Sequence, residues 1–98
     1  MTTSKKVLLN NIIKGESSRS SAIEARHDIL AILKQFNSVE IDLSGSNFTP
    51  SVADEIIGGL AIHFGPECFK NKIKIINASE SQFALMKHVI ARRLSTKR

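Results

Sequence analysis

Apolar residues recur along the chain at two alternating spacings, which predict short strands and amphipathic helices in turn. Residues 38–43 place Val39, Ile41 and Leu43 at every second position, the spacing of a half-buried strand. The apolar runs at residues 6–9 and 72–77 predict two further strands. Ile12 and Ile13 either extend the first strand or form a separate edge strand. The strand count is therefore three or four.

Three segments switch to steps of three and four residues, the period of a helix with one apolar face. The first begins at Ala22, the second covers residues 52–64, and the third carries its apolar face from Phe83 to Leu94. A polar residue with an acid or amide three positions later predicts a capped start for each helix. These pairs are Ser21 with Glu24, Ser51 with Asp54, and Ser79 with Gln82. Gly65 and Pro66 predict the end of the second helix.

The predicted order β-α-β-α-β-α favours a small α/β domain, because a strand–helix–strand crossover joins parallel neighbours in one sheet. With 98 residues, the chain fits a single domain over residues 1–98, with a frayed tail at 95–98. The single cysteine, Cys68, supports neither a disulfide framework nor a thiolate zinc site. No apolar run has the length of a membrane span, and a cytoplasmic setting is expected.

A net charge of +5 raises the question of nucleic acid as a partner. Most basic residues are spread along the chain, and only the C-terminus concentrates them, at Arg92, Arg93, Lys97 and Arg98. The chain has no Trp or Tyr, and most of its Phe residues fit core positions, so aromatic side chains for stacking on bases are scarce. A basic nucleic acid-binding accessory protein is the alternative function.

The densest polar segment follows the second predicted strand, where parallel sheets commonly place their ligand sites. It contains Asp42, Ser44, Gly45, Asn47, Thr49 and Ser51, and Asp54 and Glu55 come shortly after it. Asp42 either braces the loop through backbone N–H groups, the favoured interpretation, or presents its charge to a partner. Asp54 and Glu55 are adjacent on a helix and therefore poorly placed for shared acid–base chemistry, whereas acids in a first turn complement the helix dipole.

Ser51 carries two interpretations. As the residue that caps the second helix, its hydroxyl would accept the backbone N–H of Asp54. As an exposed hydroxyl at a helix start, it is a candidate for phosphorylation, which the helix dipole favours and the nearby Asp54 and Glu55 oppose. The sequence alone favours the capping role.

The three histidines and Cys68 lack metal-ligand spacing, and no nucleophile–base pair or phosphate-binding glycine motif is present. We therefore expect no enzymatic activity, no cofactor and no metal. Gly58 and Gly59 lie in the middle of a predicted helix, where glycine is costly. They predict either close packing on a neighbouring element or a flat surface that a partner approaches.

One combination of motifs resembles a known family. The segment Asp42-Leu43-Ser44-Gly45, followed by Phe48 and Ser51, resembles the centre of STAS domains, the fold of anti-sigma factor antagonists. Together with Ser18, Arg19 and Ala22 before the first helix, and Ala53-Asp54-Glu55 after Ser51, it resembles the STAS-like DUF4325 group. The resemblance covers about residues 18–77.

The resemblance implies a regulatory protein-docking module. The partners of anti-sigma factor antagonists are histidine-kinase-like ATPases, and phosphorylation of a serine that matches Ser51 switches docking off. Pro50 stands where that family usually has an acidic residue, which puts the phosphorylation in question. The contact surface implied for this chain is the loop and helix start made by Asp42, Ser44, Gly45, Asn47, Thr49, Ser51, Asp54 and Glu55.

Overall fold

The computed structural model describes residues 3–13, 19–45 and 48–95, and it confirms a small α/β fold with a parallel sheet. Its strands are β1 Ser4–Leu8, β2 Ser38–Asp42 and β3 Ile73–Ile76. Its helices are α1 Leu9–Ile12, α2 Arg19–Ile32, α3 Pro50–Ala53, α4 Gly59–Phe64, α5 Pro66–Lys72 and α6 Glu80–Ser95. A π-helical turn, Asp54–Gly58, joins α3 to α4. We call the resulting unit, residues 50–64, the central helix.

The strands form one parallel sheet in the order β1-β2-β3. Ile41 of β2 lies in register with Val7 on one side and Ile75 on the other. The strand order follows the chain order, so both crossovers run in the same direction across the sheet. Because such crossovers are right-handed, α2 and the central helix lie on the same face of the sheet. Val7, Ile41 and Val39 are buried there.

The other face of the sheet carries a row of charged residues. Lys6, Glu40 and Lys74 lie side by side across the three strands, so a carboxylate is flanked by two ammonium groups. Both lysines are exposed and Glu40 is half-buried. Opposite charges on neighbouring strands stabilise the pairing modestly.

The apolar core lies between the sheet and the helices. Its largest fully buried side chains are Leu9, Ile29, Val39, Ile41, Leu43, Val52, Ile56, Ile57 and Leu60. The central helix supplies four of these residues and contacts both α2 and α6. The apolar stripe predicted for residues 52–64 is thus confirmed.

One of the three predicted helix caps is confirmed. Ser79 and Gln82 form a reciprocal pair, in which the Gln82 backbone N–H donates to the Ser79 hydroxyl and the Ser79 N–H donates to the Gln82 amide oxygen. The cap predicted at Ser21 is wrong, because α2 already includes Arg19 and Ser21 lies buried inside it.

The cap predicted at Ser51 is also wrong. Thr49 occupies the capping position, and its hydroxyl accepts the Val52 backbone N–H at 3.3 Å. Pro50 is the first helical residue, where its fixed φ and missing N–H suit a helix start. The helix therefore begins earlier than predicted, and Ser51 is its second residue.

Two short helices differ from the sequence prediction. Leu9–Ile12 forms a single helical turn, so the suggested strand at Ile12 and Ile13 is wrong. Gly65, with φ of +86°, ends the central helix as predicted, but Pro66 begins α5 at once. Proline is favoured at the first position of a helix as well as after the end of one, and the same dipeptide served both purposes.

Candidate functional site

Asp42 ends β2 and holds the loop that follows it. Asp42 is 6% exposed, and its Oδ1 accepts hydrogen bonds from the Ser44 backbone N–H at 2.8 Å and from the Asn77 side-chain amide at 3.1 Å. Asn77 lies just beyond β3, so the carboxylate also ties the ends of two neighbouring strands together. Lys6 of β1 brings its ammonium within 3.8 Å of Oδ2. The bracing interpretation of Asp42 is therefore confirmed.

These contacts hold Asp42 in its charged form. Hydrogen bonds from Ser44, then from Asn77, keep the pKa of the Asp42 carboxyl below its usual value, and the Lys6 charge acts in the same direction. Because the folded-state pKa is lowered, this contribution to stability is present above the usual value near 3.8 and is lost as the pH falls through the folded pKa.

Replacing Asp42 with alanine is expected to free the loop without unfolding the sheet. The Ser44 amide loses its acceptor and should exchange with solvent about tenfold faster, as measured by hydrogen-exchange NMR. Asn77→Gly is the matched control, since it removes one donor to Asp42, leaves the Ser44 bond, and suits the φ of +58° at that position. Equal exchange at Ser44 in wild type and Asp42→Ala would contradict the brace.

The described beginning of the loop after β2 is exposed to solvent. Ser44 and Gly45 are exposed, and Gly45 has φ of +66°, a conformation that glycine adopts at low cost. Thr49 and Ser51 are half-buried at the start of the central helix. Asn47, the remaining loop residue of the predicted surface, lies outside the described residues.

Asp54 and Glu55 lie in a cluster of ion pairs that the sequence did not predict. Arg93 of α6 donates from Nε to Asp54 Oδ1 at 2.9 Å, Arg26 of α2 donates to Glu55 Oε1 at 3.1 Å, and Arg19 bonds both carboxylates. The carboxylate side chains are 16% and 12% exposed. The two acids thus join α2, the central helix and α6, and little of either is left for a partner to contact.

The glycine pair explains how these arginines reach the acids. A Cβ on Gly59 would lie 2.5 Å from Arg26 Nη1, and one on Gly58 would lie 2.9 Å from Arg93 Cγ. Real side chains do not tolerate such distances, so each glycine leaves the space that one arginine crosses. Of the two interpretations of Gly58 and Gly59, the structure supports close packing on neighbouring elements.

A double-mutant cycle tests that account. Gly59→Ala should stabilise the domain by about 0.5–1 kcal/mol in the Arg26→Ala background, where only helix propensity acts. In the wild-type background it should give no gain or a loss, because Arg26 must move away from Glu55. The urea-unfolding free energies should therefore show a coupling of about 1 kcal/mol, and equal effects in both backgrounds would disprove the packing argument.

The C-terminal basic cluster is only partly described. Arg92 is exposed, Arg93 is engaged with Asp54, and Lys97 and Arg98 lie outside the described residues. Binding of nucleic acid stays a prediction.

Within residues 3–13, 19–45 and 48–95, no group of three or more His, Cys, Asp or Glu side chains could hold a metal ion. In the same part of the chain, no helix has the length and apolar character needed to cross a bilayer.

The fold and the site together define a small α/β domain with a parallel sheet, whose carboxyl edge displays a loop braced by an aspartate. The family described as STAS-like domain of unknown function (DUF4325) matches residues 21–83, well over half of the chain. The chain belongs to this family, and the resemblance noted in the sequence is confirmed. No curated protein and no solved structure matches the chain.

Proposed function

We propose that this domain is a non-enzymatic regulatory module that docks to another protein through the loop after β2 and the start of the central helix. The observation that supports it most is the loop geometry: Ser44 and Gly45 are exposed while Asp42 beneath them is buried and hydrogen-bonded. Because the Asp42 carboxylate fixes Ser44 before binding, that residue loses less conformational entropy when a partner contacts it. Family membership adds support only at the level of the fold.

The partner class proposed is a histidine-kinase-like ATPase, as the resemblance to anti-sigma factor antagonists implies. Ser51 is the candidate switch within this surface. It occupies the second helical position, where the helix dipole favours added negative charge. Asp54 and Glu55 would oppose a phosphoryl group in isolation, but the three arginines that bind them offset much of that repulsion.

The test is recovery of partners by the whole chain from a native extract. Ser44→Arg places a bulky charge on the loop, and Ser51→Glu adds negative charge at the helix start. Both should lower recovery of the same partner by about tenfold, equivalent to about 1.4 kcal/mol of binding free energy. Ser4→Arg is the control, since Ser4 is exposed at the opposite end of the sheet.

Recovery that is equal across wild type, Ser44→Arg and Ser51→Glu would reject this surface. A partner lost with Ser44→Arg but kept with Ser51→Glu would support docking through residues 43–49, which we call the docking loop, and would reject the switch at Ser51. Recovery of nucleic acid instead, with steep salt dependence, would favour the alternative function.

A further inference from the structure

A groove lies between α2 and the end of the central helix, and none of its lining residues belongs to the docking loop. Its volume is about 490 Å³, and Leu30, Leu33 and Phe64 form its apolar floor. These three residues are half-buried, since one side of each packs against the core and the other faces the groove. The exposed Ala31 lies on its wall.

The polar side chains around this floor are all basic. His27 lines it from α2, Lys34 from the turn that follows α2, His63 from the central helix, and Lys72 from the end of α5. Lys72 Nζ lies 5.8 Å from the centre of the Phe64 ring, and the His63 ring makes a perpendicular contact with the same ring, so two of the basic residues pack directly on the floor. Among the described lining residues there is no acid, although Glu24, Asp28 and Glu67 are exposed on the same elements.

A second groove of about 400 Å³ continues this surface, because it shares His27, Leu30 and His63 with the first. It also is lined by basic residues, Arg26 and Arg93, whose charges are partly balanced by Glu55 and Asp54. Both grooves are open to solvent and adjoin each other, which suits a length of polypeptide better than a compact small molecule.

We propose that this basic-rimmed apolar groove binds an acidic amphipathic helix of a protein partner. Apolar side chains of that helix would fill the floor over Leu30, Leu33 and Phe64, and its carboxylates would pair with Lys34 and Lys72. Helix-in-groove recognition uses this combination of apolar anchors and a charged flank. The chain's net charge of +5 also attracts an acidic partner over longer distances.

The probe is a synthetic helical peptide of about 15 residues, with leucines repeating every three and four positions and glutamates beside them. Fluorescence anisotropy should show saturable binding to the full chain. Lys34→Glu with Lys72→Glu should weaken it by about tenfold or more, since two attractions become repulsions. Lys5→Glu with Lys87→Glu changes the net charge equally at exposed positions outside the groove and should alter binding by no more than about twofold.

Ala31→Arg distinguishes binding that depends on the shape of the groove from binding that depends only on its positive charge. It adds a positive charge, which would strengthen a merely electrostatic attraction, but its bulk blocks the groove. We expect weaker binding, again by about tenfold. Circular dichroism and unfolding midpoints would verify that each variant remains folded.

Several results would overturn the proposal. They are no binding by the wild-type chain, equal weakening by both lysine pairs, or tighter binding by Ala31→Arg. Anionic phosphatidylglycerol vesicles that bind through Lys34 and Lys72 while the peptide does not would assign the groove to a lipid surface. A dimer in sedimentation that Ala31→Arg dissociates would assign it to a second copy of the chain. Loss of the docking loop's partner in Ser44→Arg leaves the peptide result unchanged, so the two proposals fail separately.

Discussion

Ile41→Ala is expected to lower the free energy of unfolding by about 3–4 kcal/mol, the range for large-to-small changes in a packed core. Ile41 is 0% exposed and lies on the middle strand, in register with Val7 and Ile75. Among the described residues the sheet has three strands, with β2 in the middle, so a cavity here disturbs all three at once. Domains of this size are stable by about 5–15 kcal/mol, and the loss is therefore a large share of the total.

Urea denaturation monitored by circular dichroism measures this loss. Phe83→Ala is the control, because Phe83 is 46% exposed and its removal should change the unfolding free energy by less than about 0.5 kcal/mol. Ile41→Val, which removes only one methylene, should cost about 1 kcal/mol. A loss below about 1 kcal/mol for Ile41→Ala would mean that β2 is not the centre of the core.

Asp54→Ala is expected to cost about 2 kcal/mol, because it removes the shared partner of Arg93 and Arg19, and the Asp54 side chain is only 16% exposed. Arg93 then remains half-buried beside the central helix without its main acceptor. Glu67→Ala is a matched control, since Glu67 is an exposed acid in a helix first turn and should change stability by less than about 0.5 kcal/mol.

The same cluster predicts a dependence on pH. The hydrogen bond from Arg93, aided by Arg19, holds the pKa of the Asp54 carboxyl below its usual value near 3.8. A lowered folded-state pKa stabilises the domain above that value, and the contribution disappears as the pH falls through the folded pKa. The stability difference between wild type and Asp54→Ala should therefore be constant near neutral pH and shrink below about pH 4. A difference independent of pH down to complete acid unfolding would show that the carboxylate charge is not involved.

The pattern of apolar residues was sufficient for the class of fold. The period of two around Ile41 and the steps of three and four around Leu60 report which side of each element is buried, and the burial of apolar surface is the main driving force of folding. The cap at Ser79 was also readable, because both of its hydrogen bonds connect residues three positions apart. Such local interactions are present in the sequence itself.

The starts of helices near proline were harder to predict from the sequence. Thr49 and Ser51 are both suitable capping residues, and the choice depends on which of them can use Pro50 as a first helical residue. Likewise Pro66 follows one helix and begins another, and only the packing of Phe69 into the core shows that a helix follows. Local preference allowed both outcomes in each case, and tertiary packing selected one.

The candidate site also combines a contact that the sequence predicted with contacts that it did not. Asp42 at the end of β2, with Ser44 two positions later, predicted a braced loop because the contact is short in sequence. The ion pairs of Asp54 and Glu55 join residues 29–39 positions apart, so no spacing rule could have found them. Gly58 and Gly59 were the only signal, since two costly glycines in a helix require a compensating contact.

The sequence by itself therefore determined where three strands lie, which helix faces are buried and that Asp42 braces its loop, because period, burial and short-range hydrogen bonds are properties of neighbouring residues. Only the tertiary structure decided that Arg19, Arg26 and Arg93 converge on two acids, and that Lys34 and Lys72 border one apolar groove. Those side chains come from segments far apart in the chain, and their meeting depends on how the helices cross once the core has been packed.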